Sequence, residues 1–304
     1  MKLVRVNILI VVSIFCIGIS CSVSKAGEND IKKETDRYKK IFIKIKDYYS
    51  ISNELQSYKN YINNSISVLN DELWNDKQLY KKIEEHGIFE NNNVDLTNSK
   101  DKAVEKYDRY LKDNGIKIGY SEGAIFLYFD PIYIYLNFKN VLPEEIIEYF
   151  KIVAGDISEG FSQDEALMVP WDSIRKKIVR YENYFKKIGN INCPYIINLT
   201  KQKIDLYLKA YMIGLANSPI YDHIDEAKSS YDKFLAENKN SIFHKIIHDY
   251  YSDLKRNNFK FGKKEYIKGG YNYVGMTIFD KNNEALFIND LAEQYLKKAK
   301  SLMR

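Results

Sequence analysis

The chain has 304 residues, 45% apolar and 29% charged, which is enough to bury a core and excludes disorder by composition. Only 14 Gly and 5 Pro argue against a turn-rich β sandwich or barrel and for long helices with short connections. Three Cys cannot form a disulfide framework, and 46 Lys+Arg against 41 Asp+Glu give a mild formal charge of +5.

Met1–Ser20 has the pattern of an export signal. Lys2 and Arg5 precede the apolar stretch Ile8–Ile19, broken only by Ser13, Cys16 and Gly18, and small residues then lead to Cys21. The apolar run is too short to span a bilayer comfortably, since a transmembrane helix needs about 20 apolar residues. Gly18-Ile19-Ser20-Cys21 resembles the lipobox of bacterial lipoproteins, in the looser form seen in spirochaetes. That resemblance implies that Cys21 is acylated and becomes the mature first residue, and that the chain is held at a membrane by this lipid. It also implies an outer-membrane location, on either the periplasmic face or the cell surface. Ser22–Asp30, small and polar, then serves as a flexible tether. Cys16 leaves with the signal, so Cys193 is the one thiol of the mature chain and reads as a small packing residue.

Beyond the tether, amphipathic spacing predicts helices in succession. Asp30–Tyr49 carries Ile31, Tyr38, Ile41, Phe42 and Ile45 on one stripe. Ser52–Leu69, with Ser52 as N-cap, carries Leu55, Tyr58, Ile62, Ile66 and Leu69. Leu73–His86 is a third helix stopped by Gly87, Glu90–Ser99 reads as a polar loop, and Lys102–Asp113 is a helix closed by Asn114-Gly115. Ile116–Phe138 is either two short buried strands around a turn or a buried helix opened by Asp130 and Pro131. A helix after Asp130 is the preferred reading, and Ala124–Phe129 stays open between strand and helix. Leu142-Pro143-Glu144-Glu145 starts a helix to about Ala154, and Gly155–Val169 is a connection. Pro170-Trp171-Asp172 opens the next helix, which runs to about Ile188.

The second half repeats a phrase. Tyr181-Glu182-Asn183-Tyr184-Phe185, a polar turn and Cys193-Pro194-Tyr195 lead into a helix ending near Ala216. Later Tyr231-Asp232-Lys233-Phe234-Leu235, a second polar turn and Phe243 lead into a helix to about Leu254. This phrase resembles the helical repeats of tetratricopeptide-like bacterial lipoproteins, in which a Y-x-x-F-L … Y-P-x-S-x-Y pattern joins successive helices. The resemblance covers roughly residues 172–256. It departs from the family in keeping Pro only at Pro194 and in exceeding the usual spacing of about 34 residues. It implies stacked helical hairpins, with Tyr184, Tyr195, Tyr207 and Phe243 as packing anchors or groove lining. A final amphipathic helix is expected over about Ala285–Leu302.

The fold class expected is therefore mostly α, antiparallel helical hairpins stacked as a short irregular array or bundle, with a small segment near 117–138 open to β structure. The expected organisation is a signal peptide over 1–20, a tether over 21–30 and an N-terminal helical region over 31–115. A connecting region with a buried aromatic segment follows over 116–170, then the tetratricopeptide-like region over 171–258. A basic aromatic loop and the last helix occupy 259–304.

Chemistry is sparse. His244 and His248 share a helix face at metal-ligand spacing, but Lys245 stands where the zinc-protease motif needs its Glu. Asp130 is the one carboxylate whose aromatic setting suggests burial, and a helix cap explains it as well. No phosphate loop or nucleophile elbow occurs, so neither a catalytic role nor a cofactor is expected. The tract Lys245–Lys268 holds seven cations against three carboxylates, interleaved with Phe259, Phe261 and Tyr266. Its cations Lys255, Arg256, Lys260, Lys263, Lys264 and Lys268 are the candidate contacts for a polyanion, either nucleic acid or glycosaminoglycan. The first expectation remains a helical scaffold that binds another protein, an envelope partner or a host protein, and the polyanion is the alternative.

Overall fold

The computed structural model describes residues 31–90, 93–121, 123–259, 262–263, 276–279 and 285–303. The export signal, Cys21 and the tether lie outside the described residues, and Ile31–Arg304 clusters as one compact unit.

Ile31, Thr35, Tyr38 and Phe42 are spaced to form one buried stripe, and they define α1 (Ile31–Phe42). The helix expected to reach Tyr49 stops there. The chain turns through Ile43–Asp47 because Asp47 takes an extended conformation and accepts the Ser50 N–H at 2.8 Å, starting a new helix. That helix, α2 (Tyr48–Asn75), buries Ile51, Leu55, Tyr58, Ile62, Leu69 and Leu73. Asp47 and not Ser52 is its N-cap. Ser52 is buried inside the helix, and its hydroxyl accepts the Tyr195 N–H at 2.9 Å. Asp76 then separates α2 from α3 (Lys77–His86), giving its N–H to Glu72 and accepting the Leu79 N–H with its carboxylate. Gly87 ends α3 as its sequence suggests.

The segment 90–99 is not a plain loop. β1 (Ile88–Glu90) and β2 (Asn93–Asp95) pair as an antiparallel hairpin, anchored by buried Val94 with Leu96 beyond it. Two apolar residues at alternate positions inside an Asn- and Asp-rich stretch outweigh its polar composition. α4 (Lys102–Asp113) follows, with Asp101 accepting the N–H groups of Ala103 and Val104. Gly115 turns the chain at φ 67, where a Cβ would run into the Tyr133 ring. β3 (Ile116–Ser121) and β4 (Ala124–Phe129) complete a sheet of order β1-β2-β3-β4. The open segment Ala124–Phe129 is thus a strand. The preferred helix after Asp130 is present as α5 (Pro131–Phe138), with Asp130 accepting the Ile132 N–H at 3.0 Å.

α6 (Glu144–Glu159) runs through Gly155 and ends at Gly160, beyond the Ala154 expected, because Asp156 inside it is held by buried partners. A two-residue hairpin, β5 (Ser162–Gln163) with β6 (Ala166–Leu167), leads to α7 (Trp171–Ile188) and α8 (Pro194–Ile213). Another small hairpin, β7 (Gly214–Leu215) with β8 (Ser218–Pro219), leads to α9 (Ile224–Glu237) and α10 (His244–Arg256). β9 (Gly262–Lys263), β10 (Met276–Phe279) and β11 (Ala285–Phe287) form a three-stranded sheet before α11 (Ile288–Leu302). Residues 285–287, expected as the start of the last helix, are strand. The molecule is mostly helical with small antiparallel sheets.

The core is unusually aromatic. Trp171, Tyr181, Tyr207, Tyr211, Tyr231, Tyr250, Phe234 and Phe243 are all fully buried or nearly so. Their polar atoms have a definite task at the end of α8, whose last carbonyls lack helical partners. Tyr211 O accepts from Trp171 Nε1 at 3.0 Å and from Tyr231 Oη at 2.7 Å, and Met212 O accepts from Tyr250 Oη at 2.6 Å. The end of α8 is therefore closed by side chains from α7, α9 and α10. This ties the two hairpins α7/α8 and α9/α10 together.

Candidate functional site

Most of the aromatic residues that the repeated phrase points to are spent on packing. Tyr184 is buried and donates to the Glu145 carbonyl at 2.7 Å, Tyr207 is buried and donates to Asp156 at 2.6 Å, and Phe243 is fully buried. Tyr195 is half-buried. Cys193 is buried too, and burial pushes its thiol pKa up.

An open groove lies where α2, α3 and β4 meet. β4 ends its sheet, so the backbone groups of Ile125 and Leu127 face away from β3. Helix side chains take all four. Asn70 accepts the Leu127 N–H at 2.7 Å and donates to the Leu127 carbonyl at 3.0 Å. Trp74 Nε1 donates to the Ile125 carbonyl at 2.9 Å, and Tyr80 Oη accepts the Ile125 N–H at 3.0 Å. Asn70 and Trp74 are one helical turn apart, so they meet alternate residues of the strand.

This arrangement leaves Trp74 52% exposed while its indole N–H is committed inward. The ring forms one wall of an open groove of about 590 Å³, lined also by Lys77, Tyr80, Lys81, Glu84 and Ala124. An exposed Trp face beside a Tyr ring, flanked by charged side chains, suits an apolar or aromatic side chain of a partner. The pattern that betrays it is slight. Trp74 follows buried Leu73 and so falls off the apolar stripe of α2.

The other candidates are dispersed. Asp130 caps α5 and pairs with Lys117 at 2.9 Å. His244 Nε2 lies 3.2 Å from the Leu235 carbonyl, and His248 Nδ1 lies 3.1 Å from its neighbour Asp249. Among the described residues no group of three His, Cys, Asp or Glu side chains is placed to hold a metal ion. Of the basic tract, Lys255 sits 3.9 Å over the Tyr251 ring and 3.7 Å from Asp232, and Arg256 pairs with Asp253 at 2.9 Å. Lys263 is in β9. Lys260, Lys264 and Lys268 lie outside the described residues.

The carboxylates that are buried were not the ones the sequence singles out. Asp156, Glu182 and Asp253 are, and each is partnered. Glu182, the acid of the first repeated phrase, accepts from Ser241 Oγ at 2.5 Å and the Ile242 N–H at 2.8 Å, fixing the turn before α10. Asp253 accepts from Tyr295 Oη at 2.6 Å.

No family model, curated protein or solved structure matches the chain. No helix among the described residues is long and apolar enough to cross a membrane.

Proposed function

We propose that the protein is exported, anchored by a lipid on Cys21, and acts without catalysis as a helical scaffold that binds another protein. The anchor rests on the order of residues 1–21: two cations, a short apolar run, small residues and Cys21. More than one acyl chain is needed for durable attachment. The binding role rests on one observation, the exposed Trp74 face in the groove beside Tyr80. An aromatic anchor seated in a groove with a charged rim is the kind of surface on which protein partners concentrate their binding energy. The tetratricopeptide-like phrase supports a scaffold, although the groove itself is built by α2, α3 and β4 and not by the hairpins α7/α8 and α9/α10.

The polyanion reading has less support, because Lys255 and Arg256 are engaged with Asp232, Tyr251 and Asp253. Salt separates the two. Partner recovery from the envelope fraction with the wild-type chain and with Trp74→Ala, at low and high salt, tests the proposal. Recovery that survives high salt and is lost in Trp74→Ala supports a protein partner held by apolar contact. Recovery that collapses with salt and ignores Trp74 supports a polyanion.

A further inference from the structure

The turn between α1 and α2 combines cations with apolar side chains that the described residues leave largely exposed. Ile43 is 60% exposed, the highest value among the exposed large apolar side chains, and Tyr49 is 52% exposed. Lys40, Lys44 and Lys46 are exposed beside them. The one carboxylate in residues 40–49 is Asp47, and it is committed to the N-cap of α2. The backbone here is a tight turn, with Lys44 N–H bonded to the Ile41 carbonyl at 3.0 Å, so these exposed residues lie within ten positions of one corner of the fold.

We propose that this corner, residues 40–49, docks on the anionic headgroup layer of a lipid bilayer. The proposal rests on the reading that the chain is lipid-anchored and extends it from the tether to the folded body. Lysine ammonium groups on long stems pair with lipid phosphates, while Ile43 and Tyr49 enter the boundary between headgroups and acyl chains. Reach permits it. The ten residues 21–30 span at most about 34 Å, and α1, at 1.5 Å per residue, separates Ile31 from the corner by about 18 Å. Docking would fix the body against the membrane by a second contact in addition to the lipid.

The test uses the chain as isolated from membranes, added to vesicles of phosphatidylcholine alone or with phosphatidylglycerol. Backbone hydrogen exchange is then followed over residues 42–50. Slower exchange is expected with the anionic vesicles only, and raised salt should remove it. Each lysine near an anionic surface contributes about fivefold to partition, so Lys44→Gln with Lys46→Gln should weaken docking about 25-fold. Ile43→Ser with Tyr49→Ser should weaken it as well. All four positions are at the surface or beside it, so unchanged circular dichroism is expected. Equal exchange in both vesicle types, or full protection in both double variants, would overturn the proposal. The mass of the same sample reports separately whether Cys21 is acylated. An unacylated Cys21 would remove the anchor reading, while anionic protection at 42–50 would still establish the corner.

Discussion

Lys177 Nζ lies 3.0 Å from Asp156 Oδ1, and the two side chains are only 1% and 4% exposed. The pair joins α7 to α6, and Arg180 (3.0 Å) and Tyr207 (2.6 Å) complete the shell around the carboxylate. Glu159 closes the network by accepting from both cations. A buried pair is expensive to break from one side, and without Lys177 the buried Asp156 keeps only the partly exposed Arg180 and a phenol. Lys177→Met should therefore destabilise the protein by about 3 kcal/mol. Arg180→Gln, at a position one-third exposed, should cost about 1 kcal/mol or less. Urea unfolding of the two variants checks the order, and equal losses would show that Lys177 is not the buried partner that matters.

The carbonyls at the end of α8 give a second prediction. Tyr250→Phe leaves Met212 O without its donor, and Tyr231→Phe removes one of two donors from Tyr211 O. An orphaned buried carbonyl costs about 1–3 kcal/mol, so Tyr250→Phe should lower stability more than Tyr231→Phe. Thermal unfolding decides, and the opposite order would contradict the assignment.

Both features bear on how much the sequence discloses. The helices are legible because their apolar stripes and stops are local, as at Lys102–Asp113 with Asp101 before it and Gly115 after. The turn at Ile43–Asp47 was not, because the stripe runs through Ile45 and only the Asp47 cap interrupts it. β1 and β2 hide in polar sequence, since three-residue strands carry almost no period. The repeated phrase pointed to Tyr184, Tyr207 and Phe243, and those residues are packing anchors. The groove lay elsewhere because exposure of Trp74 depends on where β4 meets α2, a relation across about 50 residues that no local pattern encodes.

The covered edge of β4 gives a third prediction. Asn70→Ala removes both partners of Leu127 and uncovers half of the outward backbone. Stability should fall by about 2 kcal/mol. An unprotected edge also recruits other chains, so the variant should self-associate as its concentration rises. Sedimentation velocity would show this, and a monomer at all concentrations would mean the edge is protected by something other than Asn70.

Titration provides a fourth. Burial pushes the Tyr128 and Tyr251 hydroxyls up to about 12, and those of Tyr231 and Tyr250 well above the usual 10. A phenol raised in the folded state contributes stability that is fully present below about pH 10 and is lost as pH climbs through its folded value. Unfolding free energy should therefore hold level to about pH 9 and decline between about 10 and 12. Phenolate absorbance should rise late and together with loss of helix. A large fraction of tyrosines ionising near pH 10 in a still-folded chain would contradict the packing described.

At the acid end, the Lys82 ammonium and the α4 N–H groups hold the Asp101 carboxyl down at about 2. Its contribution is present above about pH 4, the unfolded value, and disappears as pH falls toward 2. Asp101→Asn should flatten the acid limb of the stability curve across that window. An unchanged limb would assign acid sensitivity to other carboxylates.

The proposed contact between the Trp74 groove and a protein partner is open to crosslinking in cells. The most direct measurement places a photoreactive side chain at position 81, in the groove, and another at position 245, exposed on α10 and remote in sequence, in cells that make the protein. One protein adduct of defined mass is expected from position 81, none from position 245, and loss of the adduct in Trp74→Ala. Adducts of equal yield from both positions, or a position-81 adduct indifferent to Trp74, would contradict it.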